Sequence, residues 1–336
     1  MPSILSSQYG RRRLLGGTLL LGAAGLPGAA AAQAAWPTRP LNLVIPFPPG
    51  GIVDTLGRLT AEHVARKLGQ PVTVENRPGA GSAIGNAQVA SAKPDGYTVL
   101  SGGIGLAIIP NLQPELAPQD PATALDPVAH TSRTAYVLHT NRGLPVNTLA
   151  EFVAWARARG PKLNAATSGL GTGVHLTWEL FRRRSGITEG EILHYRGGVP
   201  AILDIQAGRA DFAWSTALEA IQAMRAGQTK PIVVTSARRI KALPDTPTVI
   251  ESGYPDFEVQ SWSGWYVPAG TPSAAIARLS AALEEALADA DLRARFASWG
   301  VEAAYGPPAL LRETLLRETA RWGQLIREAR IEAQPG

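Results

Sequence analysis

The sequence predicts an α/β protein of two lobes, each a mostly parallel sheet flanked by helices, with a ligand cleft between the lobes. Three observations carry that expectation. Short apolar runs alternate with segments whose apolar residues recur near every 3.6 positions. The alternation runs twice along the chain. Two amphipathic helices then return at the C-terminal end, which suggests lobes joined by more than one crossing.

Leu41–Ile45 reads as a buried strand ended by Pro46. After Pro48-Pro49-Gly50-Gly51, the spacing of Val53, Leu56, Thr60, Val64 and Leu68 predicts a helix with Gly69 beyond its end. Val72–Val74 is a strand, Ala83–Ala92 a helix and Tyr97–Leu100 a strand, which completes one βαβαβ unit. A second unit follows the strand Ala135–His139. It contains a helix at Leu149–Arg159, a strand at Leu163–Thr167 and a helix at Val174–Arg184. Glu191–Tyr195 is then a strand, Pro200–Gln206 a helix, and Asp211–Trp214 and Ile232–Val234 are strands. The proline-rich stretch Leu243–Pro255 and the strand Gly264–Val267 lead to helices at about 273–298 and 309–330.

Residues 1–34 stand apart. Arg11-Arg12-Arg13 precede an apolar run, Leu14–Leu26, and a small-residue stretch ending Ala32-Gln33-Ala34. A basic start, a short apolar core and an A-x-A-like site are the pattern of a cleaved export signal. The run is too short and glycine-rich for a membrane helix, which needs ~20 residues. Arg11–Leu15 fits a twin-arginine signal, and an ordinary secretory signal with a basic start is the other reading. Cleavage near Ala34 would leave 302 of the 336 residues and lower the formal charge from +5 to +2, since the leader's three charged residues are all arginines. No basic tract then remains for a nucleic-acid backbone, and no later segment has 18 consecutive apolar residues. The expectation is a soluble, periplasmic, unanchored protein. The absence of cysteine excludes disulfides, thiolate metal sites and a cysteine nucleophile.

Two glycine-rich turns are the candidate functional loops. Pro48-Pro49-Gly50-Gly51 joins a strand to a helix whose first turn carries Asp54. Glycines let a ligand approach the backbone closely, and free N–H groups at a helix start attract an anion. Asp54 has two readings, holding loop amides or touching ligand; a carboxylate beside a bound anion would repel it, so the amides are favoured. Thr167-Ser168-Gly169-Leu170-Gly171-Thr172-Gly173 makes the same join in the second unit. Its G-x-G-x-G spacing is neither a dinucleotide fingerprint nor a P-loop, and its amides with the Ser168 and Thr172 hydroxyls suit a compact carboxylate. A plain tight turn with capping hydroxyls is the alternative.

Other candidates carry two readings each. His175 and Glu179 are spaced i,i+4, so they could pair or bind metal, or His175 could donate to the loop or to a ligand; no metal is expected from two ligands. Tyr195-Arg196-Gly197-Gly198 ends a strand where ligands collect, and Arg196 either favours an anion or forms a surface ion pair. Trp214, Trp262 and Trp265 fit core better than pocket, and Asn76–Gly81 reads as a structural turn. No G-x-S-x-G elbow or Ser/His/Asp set is evident, and no cofactor is required.

Taken in order, these motifs resemble the periplasmic solute-binding receptors of tripartite tricarboxylate transporters, the Bug-type family. The residues that carry the resemblance are Pro46–Gly51 with Asp54 and Arg58, Glu75–Gly81 with Ile84-Gly85, and Pro94–Thr98. Ser168–His175 with Glu179, Tyr195-Arg196-Gly197 and Pro268–Pro272 complete the set. The resemblance implies a periplasmic-binding-protein-like monomer that closes on a small organic carboxylate and hands it to membrane permease subunits. It implies carboxylate-gripping loops at Pro48–Asp54 and Ser168–His175, partly acting through water, with Ser101-Gly102 lining the same cleft. The expected parts are the leader 1–34, one lobe of 35–135 plus 262–336, and a second lobe of 136–261. Ligand-binding residues are expected at Pro48, Pro49, Gly50, Gly51, Asp54, Ser101, Gly102, Ser168, Gly171, Thr172, His175, Tyr195 and Arg196.

Three features depart from the family pattern. Ile52-Val53 makes the first loop more apolar, Arg196 replaces a common lysine, and Trp214-Ser215-Thr216 differs from the usual segment. They bear on which ligand is bound. Two other outputs stay open: presenting the closed form to a membrane sensor kinase, or exported hydrolase or isomerase chemistry through His175 with Asp54 or Glu179.

Overall fold

The computed structural model describes residues 36–333, so the expected leader lies outside the described residues. The first unit comprises β1 (Leu41–Ile45), α1 (Ile52–Leu68), β2 (Val72–Asn76), α2 (Ala83–Ala90) and β3 (Thr98–Gly103). Next come α3 (Gly105–Leu112), α4 (Pro121–Ala124) and the strand β4 (Leu125–Asn141). The second unit is α5 (Leu149–Arg159), β5 (Asn164–Thr167), α6 (Gly173–Ser185), β6 (Glu191–His194), α7 (Gly198–Gln206), β7 (Phe212–Thr216), α8 (Ala217–Arg225) and β8 (Thr229–Val234). The chain returns through β9 (Gln260–Pro268), α9 (Ser273–Ala288), α10 (Ala290–Ser298), β10 (Val301–Gly306) and α11 (Pro308–Ala329). No helix among the described residues is long and apolar enough to cross a membrane.

Sequence chemistry sets the helix ends that matter here. Gly69 closes α1 and Gly186 closes α6, each in the left-handed conformation that spares a side chain. Thr148 and Glu151 form a capping box on α5. Asp289 accepts from the N–H groups of Asp291 and Leu292, both at 3.0 Å, and so divides the expected helix 273–298 into α9 and α10.

The strands run in the order β2-β1-β3-β9-β4-β7-β5-β6, with β8 and β10 also paired to β4. The expected parallel pairing holds at both ends, in β2-β1-β3 and in β7-β5-β6. In the middle it gives way: β9, β10, β7 and β8 all pair antiparallel with β4, and β3 with β9. The reason is connectivity, since β9 and β10 arrive from the C-terminal return rather than through βαβ crossovers. β4 is 17 residues long instead of the five read from Ala135–His139. Its first part pairs with β9 and β10, its second with β7 and β8. One apolar core takes Leu106, Ile108 and Leu112 of α3 together with Val174, Trp178, Phe212, Trp214 and Trp322. A second gathers β1, α1 and α9 around Trp265.

Candidate functional site

Loops that follow parallel strands at their C-terminal ends are where α/β proteins bind ligands. In the first unit that place is the loop from Pro46 to Gly51, between β1 and α1. Gly50 adopts φ +86°, a conformation a side chain would strain. Its N–H donates to Asp54 Oδ2 at 2.9 Å. Asp54 Oδ1 accepts from Arg58 Nε at 2.9 Å and from Asn76 Nδ2 at 2.8 Å. Asn76 also donates to the Phe47 carbonyl at 3.0 Å, and Arg58 Nη2 donates to Asn76 Oδ1 at 2.6 Å. Asp54 is buried, and its carboxylate faces the loop, Arg58 and Asn76. Asn76, at the end of β2, thus braces a loop nearly thirty residues earlier, a role beyond the plain turn read from the sequence.

With Asp54 so occupied, the start of α1 has no side-chain cap. The first N–H groups of a helix have no partner within it, and here they lie behind Gly51. A Cβ placed on Gly51 would meet only the Pro48 carbonyl oxygen, at 3.8 Å, so the space beside Gly51 is open. Pro48, Pro49 and Gly50 are exposed. Ser101 and Gly102 lie buried at the end of β3, the strand beside β1. Ser101 Oγ lies towards Gly57 of α1, and Gly102 packs against Leu106 and Tyr266.

The second loop, Ser168–Thr172, connects β5 to α6 and is closed on itself. Gly169 and Gly171 take φ +138° and +71°. Thr172 Oγ1 donates to the Gly169 carbonyl at 2.7 Å and accepts from the His175 N–H at 3.4 Å. The Gly171 N–H donates to His175 Nδ1 at 3.2 Å. That bond requires the proton of a neutral His175 to sit on Nε2. Burial, then the neighbouring His194 and Arg182, push the His175 pKa down to about 3, consistent with a neutral ring. His194, which the sequence reading passed over, packs edge-on against His175 with 4.7 Å between ring centres. Its Nδ1 lies 2.7 Å from the Thr167 hydroxyl. The signal was the register of β5 and β6, which sets Thr167 beside His194.

Glu179 pairs with Arg182 at 3.5 Å, and among the described residues no three His, Cys, Asp or Glu side chains are grouped to hold a metal. The Tyr195–Gly198 stretch is tied to the second loop by the Gly197 N–H donating to the Ser168 carbonyl at 3.1 Å. Tyr195 donates its hydroxyl to Asp204 at 2.5 Å, while Arg196 is exposed. Gly171 packs against Leu112, Ile109 and Ile108 of α3, and Gly173 against Ile104 and the Tyr136 hydroxyl. No local sequence pattern predicts these partners, which come from α3, Ile104 just before it, and β4. Trp214, Trp262 and Trp265 are buried core residues. No lysine or arginine is buried among the described residues; the guanidinium at the first loop, Arg58, is spent on Asp54 and Asn76.

The model of the tripartite tricarboxylate transporter family receptor matches residues 56–331. A Pseudomonas sp. (strain P51) protein, described as the UPF0065 protein in the tcbD-tcbE intergenic region, is 35% identical over 332 residues, 97% of each chain. The structure of the periplasmic binding protein BugD superposes with a TM-score of 0.81 at 31% identity, covering 89% of this chain and 100% of that one. An R. palustris protein solved with adipate gives a TM-score of 0.83 at 32% identity, covering 88% and 99%. These matches place the chain: it belongs to the tripartite tricarboxylate transporter receptor family, whose members are solute-binding receptors.

Proposed function

We propose that the protein is a periplasmic receptor that captures a small organic carboxylate and delivers it to the membrane permease of a tripartite transporter, acting by binding alone. The observation that carries this reading is the uncapped start of α1 behind an open Gly51, with Asp54 turned back into its own loop. That arrangement offers N–H donors and a helix dipole to an anion. The relative solved with adipate supports a carboxylate as the anion. Charge-assisted hydrogen bonds contribute ~1.5–3 kcal/mol each, and micromolar affinity requires about −8 kcal/mol, so four or five such bonds suffice. The lobes are 35–135 with 262–336 and 136–261, and they close on the ligand by bending where β4 and β9 cross between them. Export follows from the leader at residues 1–34.

The test is a thermal-shift panel on protein freed of co-purified ligand. It should span mono- and dicarboxylates of two to eight carbons, aromatic carboxylates and amino acids. At least one member should raise the Tm with a concentration-dependent shift. A flat panel overturns the reading.

A further inference from the structure

β4 changes partners between two residues. Its ladder with β9 ends at Ala135, opposite Gln260, and its ladder with β7 begins at Tyr136, opposite Thr216. Thr235 fixes the backbone at this fork: the Tyr136 N–H donates to Thr235 Oγ1 at 2.9 Å, and the Tyr136 carbonyl accepts from the Thr235 N–H at 2.9 Å. The Tyr136 side chain is 2% exposed and runs to Gly173, the first residue of α6. A Cβ built on Gly173 would collide with the Tyr136 hydroxyl and fall 2.9 Å from Cζ, with Ile104 Cδ1 at 3.3 Å. Gly173 has no positive φ, so its backbone would accept a side chain; the space would not. The hydroxyl thus comes up against the start of α6 where Ile104, from the turn after β3, meets the second unit.

We infer that Tyr136 is a ligand-contacting residue, whose hydroxyl donates to an oxygen of the bound molecule in front of the first turn of α6. The inference rests on the carboxylate-receptor reading and adds to it a contact from the strand that joins the two units. Three observations carry it. The hydroxyl makes no hydrogen bond among the described residues, since the bonds of Tyr136 are those of its backbone. Unlike the Tyr266 hydroxyl, which is enclosed without a partner, it is not shut off from solvent. The amides it faces are also unspent. Thr172 Oγ1 accepts from the His175 N–H and the Thr172 carbonyl from the Leu176 N–H, which leaves the N–H groups of Gly173 and Val174 free. Burial raises the Tyr136 pKa, against the effect of the neighbouring Ser261 hydroxyl, so the phenol stays protonated and is a donor.

The experiment compares the mature protein with Tyr136→Phe, which removes one oxygen. The probes are succinate, glutarate, adipate, benzoate, aspartate and glutamate, with any other carboxylate that shifts the Tm in the wider panel. Because no bond within the protein is lost, the Tm of the unliganded variant should stay within about 3 °C of wild type. Its calorimetric affinity for the tightest-bound probe should fall by roughly ten-fold or more, the scale of one hydrogen bond to a charged group. A smaller loss of affinity overturns the inference. A larger fall in the unliganded Tm, or failure to fold, overturns it as well, because the hydroxyl then holds the fork or the start of α6 together. In each of these cases wild-type binding leaves the receptor reading standing. Failure of every carboxylate to bind wild type overturns both.

Discussion

The two glycine loops occupy equivalent positions after parallel strands, yet their hydrogen bonds run in opposite directions. In the first, Asp54 turns back to hold Gly50, Arg58 and Asn76, which stiffens the loop from behind and leaves the start of α1 uncapped. In the second, Thr167, Thr172 and His175 consume the loop's own donors at Gly169, Gly171 and His175. The same glycine-rich turn can therefore be a seat for an anion or a rigid wall, and the difference lies in whether neighbouring acceptors face the amides or the far side of the loop. On the proposed receptor reading, the strongest ligand contacts fall to Gly51 and its helix, and shape to Ser168–Thr172.

The largest expected effect follows from Gly51→Val. Gly51 has φ −73° and ψ 171°, which valine adopts, and its Cβ would touch only the Pro48 carbonyl oxygen at 3.8 Å. The variant should fold, with a stability change of about 1 kcal/mol or less from the altered N-cap. Its side chain would project before the α1 amides, and loss of two charge-assisted bonds should weaken binding by at least ~100-fold. Calorimetry with whichever carboxylate gives the largest thermal shift measures this. Undiminished affinity in a folded variant would move the seat away from the first loop.

How far this difference was visible in the sequence depends on range. Pro48–Gly51 and Ser168–Gly173 are local patterns, and strand-turn-helix joins follow from residues close in sequence. What separates the loops is not local. The Asp54 partner Asn76 is 22 positions away and depends on β1 pairing with β2, and His194 reaches the second loop only through the register of β5 with β6. The sequence pattern does not predict α3 because Gly105–Ile109 is buried on every side, which erases the amphipathic period. The apolar pattern predicts only Ala135–His139 of β4 because its early half mixes His130, Thr131, Ser132 and Arg133 into the run, polar residues on a strand paired on both edges.

An intermediate effect is expected on acidification, and it tests the second loop. A histidine whose folded pKa is depressed contributes stability that is present above its unfolded value and is lost as pH falls towards the folded one. For His175 that window runs from 6.5 down to about 3, and for His130 and His139 from 6.5 to about 4. Each group lowers stability by up to ~1.4 kcal/mol per pH unit inside its window. The raised carboxyl groups of Glu179 and Glu219 act in the opposite sense, so the histidine contribution is isolated by difference. His175→Gln, measured by denaturant unfolding from pH 7 to pH 4, should show a shallower loss of stability than wild type. Identical slopes would mean that His175 is not held neutral beneath the loop and that the wall is softer than its hydrogen bonds indicate.

The smallest effect should come from Arg196→Ala, and it bears on the comparison most directly. Arg196 is the one cationic side chain within the strand end that abuts the second loop, so a charge-based seat there would depend on it. Its side chain is exposed, and an exposed cation is screened by water and salt, contributing ~0.2–1 kcal/mol to a pairing. The Gly197 N–H that ties this segment to Ser168 is a backbone donor and survives the substitution. Binding should weaken by about five-fold at most at physiological ionic strength, with the residual effect shrinking as salt is raised. A loss approaching that of Gly51→Val would invert the assignment, since an amide seat on α1 has no reason to need a guanidinium on the opposite loop.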